Sequence, residues 1–283
     1  MSDGLGWWGP EAAWGWLAPA AAAPWPAVAL AAVTGACLGS FLNVVIHRLP
    51  RGESLAWPGS HCPACGHGLG AWENLPLVSY AWLRGRCREC RGAIPWRYPA
   101  VEALGAALCG GAVLWLGLGA AAVWAAAFAL GLTAIAWIDA EHRIIPDELS
   151  AGLVACGLWA RGPSLEGFLT GLAGALAGFL SLWAVAWLYR RVRGEDGLGG
   201  GDVKLAAGLG AFLGLPGLLL TVVGSAAAGT AVGLWLMLRG RGDGRTALPY
   251  GAFLAPAALA ALVAGPALWR AYLTLTGLWP PAP

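Results

Sequence analysis

The sequence predicts an all-α integral membrane protein of about eight transmembrane helices, with one small cytoplasmic loop domain near its start. Three observations predict it. Hydrophobic residues make up 58% of the 283 positions and charged residues only 11%, and the apolar residues fall in blocks of membrane-spanning length. Basic residues concentrate in alternate loops. Four cysteines stand as two C-x2-C pairs inside the one sizeable polar stretch.

In chain order, apolar segments run at about 25–46, 100–118, 120–138, 148–162, 167–189, 203–216, 217–238 and 250–272. Fifteen of the seventeen lysines and arginines fall in one set of alternate loops; only Arg161 and Arg270 fall in the other. Positive charge marks the cytoplasmic side, so both termini are expected to face outward. The chain divides into an outward N-terminal arm (1–24), a first transmembrane helix (25–46), a cytoplasmic module (47–99), a seven-helix core (100–272) and a tail (273–283). His47 and Arg48 anchor the end of the first helix, and the eighteen tryptophans cluster near segment ends as interfacial belts. Asp3 and Glu11 are the only charges in the first 25 residues, so no cleaved signal peptide is expected. The excess of Arg over Lys, with abundant Ala and Gly, reads as nucleotide composition rather than chemistry.

Segments 148–162 and 203–216 are too short to cross a bilayer upright, where about 20 residues are needed. Each follows an acidic motif and ends in a breaker, Gly162-Pro163 or Gly214 with Pro216-Gly217. Short helices in corresponding places point to a site at membrane depth; tilted helices with misplaced ends are the plainer reading.

The 47–99 module has too few apolar residues for a core and needs a staple. Cys62-Pro-Ala-Cys65 and Cys87-Arg-Glu-Cys90 supply one, since four thiolates at this spacing close a tetrahedral Zn²⁺ site. Two disulfides are the rival, disfavoured in a reducing compartment. A closed four-sulfur site is structural and leaves no position for catalysis. Gly66 and Arg88 suit tight turns at the knuckles; His61 and His67 flank the first as alternative ligands or as solvated side chains. Cys37, Cys109 and Cys156, in apolar runs, read as small hydrophobes.

Two acidic motifs stand at the expected cytoplasmic face. Gly197-Leu-Gly199-Gly200-Gly201-Asp202-Val-Lys204 follows a basic turn, and its glycines leave the backbone open to a substrate strand near Asp202. Trp137-Ile-Asp139-Ala-Glu141-His-Arg-Ile-Ile-Pro146-Asp147 ends the third apolar run. An acid at the edge of a membrane helix is a functional candidate, the bland reading being a solvated turn. Two carboxylates brought close share a proton, so that one activates water and the other protonates an amide. Spacing leaves open whether Asp139, Glu141 or Asp147 partners Asp202, and Asp147 and Glu148 also read as helix N-terminal acids. Lys204, the only lysine, either biases the shared proton or anchors to lipid headgroups.

From about Gly35 to Ala255 the chain resembles the bacterial type IV prepilin peptidases. The likeness rests on Gly39-Ser-Phe-Leu-Asn43-Val-Val-Ile-His47-Arg48-Leu-Pro50, both cysteine knuckles and Trp72-Glu73-Asn74-Leu75-Pro76-Leu77-Val78-Ser79-Tyr80. It continues through Arg97-Tyr-Pro-Ala-Val-Glu102, Ile138-Asp139-Ala-Glu-His142, Ile145-Pro-Asp147 and Gly197-x-Gly199-x-Gly201-Asp202-x-Lys204. The resemblance implies that Asp139 and Asp202 are the catalytic pair. It also implies cleavage of leaders from type IV prepilin or type II pseudopilin precursors at the cytoplasmic face of the bacterial inner membrane. N-methylation of the new terminus from S-adenosylmethionine is implied by the cysteine-rich region and the W-E-N-x-P-L-x-S-Y run. Glu73, Glu102 and Asn43 are candidates for methyl transfer, or caps and interfacial side chains. Departures are slight: Leu75 where isoleucine is common, and Gly200 in a variable slot. Membrane lipid is the expected surroundings, and no nucleic-acid partner is expected.

Two rivals stay open: a peptidase without methyltransferase activity, and a proton-coupled transporter using the carboxylates as a relay. The transporter would place its acids at the bilayer midplane; these stand at helix ends beside Arg and Lys.

Overall fold

A computed structural model describes residues 14–17, 23–241 and 248–278. Among them are eight α-helices and no strand: α1 (Trp25–Arg48), α2 (Val78–Trp82), α3 (Arg97–Leu116), α4 (Ala120–His142), α5 (Asp147–Ala160), α6 (Leu165–Arg193), α7 (Gly200–Leu238) and α8 (Gly251–Leu275). Six of these, all but α2 and α5, are long and apolar enough to cross a membrane, so the chain is a multi-pass membrane protein. Arg245 and most of the 1–24 arm lie outside the described residues, as do residues 279–283 of the tail.

At 39 residues α7 would run about 58 Å, nearly twice the hydrocarbon thickness of about 30 Å. It is broken at Gly214, whose φ of 68° and ψ of 179° no helix contains, and Pro216 next door lacks the N–H that would repair the ladder. The two halves, 200–213 and 215–238, are the two apolar segments expected there. With α5, at 14 residues, the first half makes the expected pair of short helices. Each begins with acid in its first turn, Asp147 and Glu148 in α5 and Asp202 in α7, where the helix dipole favours negative charge.

The chain forms two units, Pro19–Ala134 and Ile135–Pro283 with Met1–Ala18. In the first, α1 packs along α3. A side chain at Gly35 would place its Cβ 2.2 Å from the Gly105 carbonyl oxygen, and one at Gly39 would meet the Val101 oxygen at 2.7 Å. In the second unit α5, α6 and α8 pack on α7. There Gly174 and Gly178 face the carbonyl oxygens of Gly210 and Ala206, and a Cβ on either would lie 2.1 Å from them. Gly157 crosses Ala211, and Gly208 crosses Leu153, as tightly. Lipid removes the hydrophobic drive between helices, so close backbone packing of small residues takes its place. The glycines named here therefore do structural work at the crossings. Trp14 of the N-terminal arm is buried against Gly217 and Gly265.

Gly178→Val is expected to lower the melting temperature in detergent by an amount equivalent to about 1–3 kcal/mol or more, because rigid backbone must move to admit it. Gly152→Ala, in α5 with nothing within 4 Å of the new methyl, is expected to leave it unchanged or raise it. Equal melting curves for Gly178→Val and the wild type would contradict the packing account.

Candidate active site and metal centre

Asp139 lies in the last turn of α4, within the second unit, and is 5% exposed. A buried carboxylate needs donors, and the end of a helix is a poor place to find them because the C-terminal carbonyls are negative. They come instead from the start of α8. The Ala252 N–H donates to Asp139 Oδ2 at 3.0 Å, and the Gly251 N–H also bonds the carboxylate. Residue 251 must be glycine: a Cβ there would stand 3.0 Å from Asp139 Oδ2 and 2.9 Å from Ile145 Cδ1. The entry to α8 is set by Tyr250, whose hydroxyl lies 2.9 Å from the buried Ser225 Oγ of α7.

Asp202 is the third residue of α7 and 9% exposed. Its N–H donates to the Gly199 carbonyl at 3.1 Å, which bends the glycine loop back on the helix start. Gly201 packs on Ile145, where a Cβ would lie 2.9 Å from the isoleucine Cβ. Ile145 thus touches the residue beside Asp202 on one side and the residue beneath Asp139 on the other. The structure places the two aspartates on either side of this one wedge residue, through Gly201 and Gly251. Glu141, two residues after Asp139 in α4, is exposed.

Most glycines of the loop meet the chain itself. Gly197 lies on the Tyr189 ring, 2.4 Å from where its Cβ would be, Gly199 makes room for Asp202 Oδ2, and Gly201 for Ile145. Three glycines are required by the chain packing on itself; only Gly200 has open space above it. That space adjoins a cavity of 280 Å³ walled by Phe179, Trp183, Trp187, Arg190 and Lys204. Lys204 does not reach toward Asp202. Its Nζ donates to both Asp147 oxygens, at 2.8 and 2.7 Å, and ties the starts of α5 and α7 together. Both partners are at least half exposed, so the pair contributes about 0–1 kcal/mol. Gly251 and Ile145 were missed by sequence reasoning; the Pro249-Tyr250-Gly251 turn signal was the available clue to the first.

In the first unit the sulfurs of Cys62, Cys65, Cys87 and Cys90 lie within 4.8 Å of one another. Cys62 Sγ and Cys90 Sγ are 3.8 Å apart and Cys65 Sγ and Cys87 Sγ 4.0 Å apart, close to the ~3.8 Å edge of a tetrahedron with metal–sulfur bonds of about 2.3 Å. The donor set can hold a metal. N–H groups of Ala64 and Cys65 draw the Cys62 thiol down to about 7, favouring the thiolate a metal takes. Each knuckle is a small hairpin. The Cys62 N–H bonds the His67 carbonyl and the Gly66 N–H the Cys62 carbonyl; Cys87 with Gly92 and Arg91 repeats both bonds. Bridges His61–Gly68 and Arg86–Ala93 close them at the same offset. The left-handed turn residues are Gly66 (φ 73°) and Arg91 (φ 59°), so Arg91 rather than Arg88 is the counterpart of Gly66. Neither histidine joins the sulfur cluster: His61 Nδ1 meets the Gly59 carbonyl and His67 Nε2 the Glu73 carboxylate.

The candidates Asn43, Glu73 and Glu102 also gather in the first unit, around a cavity of 220 Å³. Glu73 Oε2 accepts from the Gly70 N–H at 2.9 Å and lies 3.2 Å from His67 Nε2, and these partners hold its carboxyl below the usual range.

Residues 33–116 match the model of the bacterial peptidase A24 N-terminal domain, and residues 126–234 that of the type IV leader peptidase family. A Burkholderia pseudomallei protein named prepilin leader peptidase/N-methyltransferase is 41% identical over 264 residues, covering 83% of this chain and 84% of its own. Its namesake in Pseudomonas aeruginosa is 40% identical over 272 residues, 86% of this chain and 92% of its own. One from Aeromonas hydrophila is 37% identical over 84% of this chain and 90% of its own. No solved structure matches. With two family models spanning most of its length and relatives near 40% identity along it, the chain belongs to the type IV leader peptidase family.

Proposed function

We propose that this protein is a bifunctional membrane enzyme. It cleaves the leader from type IV prepilins or type II pseudopilins by aspartic chemistry at the cytoplasmic face of the bacterial inner membrane, then methylates the new N-terminus. The observation that carries the reading is the convergence of Asp139 and Asp202 around Ile145, with the α8 N-terminus donating to Asp139. The relatives' names support both activities, and the loop distribution of basic residues supports the cytoplasmic side.

Asp139, oriented by the N–H groups of Gly251 and Ala252, serves as base on a water, and Asp202 holds the proton. Asp139 takes a proton from the water as its oxygen bonds to the scissile carbon, and Asp202 gives its proton to the carbonyl oxygen. Collapse of the tetrahedral adduct breaks the C–N bond, and a proton returned from the pair leaves on the amine. Water is consumed, and neither a metal nor a covalent intermediate takes part. The aromatic cavity beside Gly200 receives the apolar segment that follows the cleaved bond. Cys62, Cys65, Cys87 and Cys90 would hold Zn²⁺ as a structural staple of the cytoplasmic loop, four sulfurs being a full ligand set. S-adenosylmethionine, when bound, supplies an electrophilic methyl group.

Asp139→Asn and Asp202→Asn are each expected to lower prepilin cleavage by about 10²–10⁴-fold without lowering the melting temperature; cleavage at the wild-type rate by either refutes the assignment. Gly251→Val, which drives Asp139 from its donors, should lose cleavage while keeping its metal, and full activity would remove α8 from the mechanism. Mass spectrometry of the processed product should find one added methyl group; a bare amine points to a peptidase alone. Metal analysis should find zinc in purified protein and its loss from Cys62→Ser and Cys87→Ser; metal content unchanged by both excludes the centre.

A further inference from the structure

The cavity of the first unit has no part in the aspartate chemistry, yet its wall contains two buried oxygens without a hydrogen-bond partner, Asn43 Oδ1 and Glu73 Oε1. Asn43 is 2% exposed. Its amide nitrogen donates to the Gly39 carbonyl at 3.3 Å and the Tyr98 carbonyl at 3.1 Å, which fixes the amide and leaves the oxygen uncommitted. The Glu73 side chain is 10% exposed, and both its protein partners are taken by Oε2. Buried acceptors are costly to leave unpaired, so two on one cavity call for a ligand that supplies donors.

The lining selects the ligand's charge. Glu53, Glu73 and Glu102 border the cavity against two arginines, Arg48, whose guanidinium is spent on the Ser54 and Gly59 carbonyls, and Arg88 at the exposed border, so the acids outnumber the bases and the wall suits a ligand that carries a cation. The rings of Tyr80 and Tyr98 line it too, and a cation near an aromatic face is held by the ring quadrupole. Glu102 has a separate duty. Its Oε2 accepts from the Leu77 N–H at 2.8 Å, at a residue with φ 63°, and so pins the 72–80 run where it borders the cavity.

We propose that this cavity binds S-adenosylmethionine, with Asn43 Oδ1 and Glu73 Oε1 accepting from its ammonium group, the tyrosines flanking its sulfonium, and Glu102 as a positioning residue. The exposed Pro63, Ala64 and Arg88 at the border leave room for the adenosyl portion toward solvent. The proposal rests on the methyltransferase reading above and deepens it by giving that activity a site.

Equilibrium dialysis of the full-length enzyme in detergent against labelled S-adenosylmethionine reads binding without turnover. The wild type should bind saturably, and Asn43→Ala and Glu73→Gln, at wild-type melting temperature, should each weaken binding about tenfold or more. Affinity unchanged in both overturns the site and leaves methyl transfer standing elsewhere; no binding by the wild type overturns the methyltransferase reading itself. Should either variant melt early, hydrogen exchange on the wild type decides. Added S-adenosylmethionine should protect amides within residues 40–102, and protection confined to other residues overturns the proposal.

Discussion

Helices in lipid use up their own backbone donors, so a carboxylate buried among them can find an N–H only where a helix begins. The rest of the second unit follows from that constraint. Asp139 closes α4, at the negative end of its dipole, and is made tolerable by the opening residues of α8. Asp202 opens α7 and bonds its own N–H back to the glycine loop. For both acids to lie near one point, two helices must start and one must stop there. The short α5, the break of α7 at Gly214 and the turn ahead of α8 are what that arrangement requires.

Bringing so many helix ends together demands close crossings along their lengths. Gly174 and Gly178 let α6 lie against the carbonyls of α7, while Gly157 and Gly208 do the same between α5 and α7. The short helix that carries Asp202 is therefore gripped on two sides by backbone rather than by long side chains that could swing between rotamers. For the proposed catalytic pair, support of that kind is what preorganisation requires, since a small displacement of a reacting group is costly in rate.

Much of this was legible in advance, and the exceptions have physical causes. Long apolar blocks bounded by Gly, Pro and Arg mark their own helices, and C-x2-C pairs announce their partners by spacing. The donors to Asp139 do not. They are backbone N–H groups on Gly251 and Ala252, more than a hundred positions away, and a backbone donor leaves no mark in residue type. Ile145 is similarly silent, an ordinary aliphatic until its neighbours on both sides prove to be glycines. The crossings were readable: Gly35 with Gly39 and Gly174 with Gly178 are both G-x-x-x-G pairs, whose physical meaning is close helix approach. The twofold character of the cysteine loop was hidden because the two knuckles share hydrogen bonds and turns rather than side chains. Arg91 stands left-handed where Gly66 does.

Cys62 and Cys87 belong both to the sulfur cluster and to the wall of the neighbouring cavity. An oxidant that disbanded the cluster would disturb the wall of that chamber, while none of the residues placed around Asp139 and Asp202 is a thiol. On the proposed reading, loss of the four thiols would separate the two activities, silencing methylation and leaving cleavage in place.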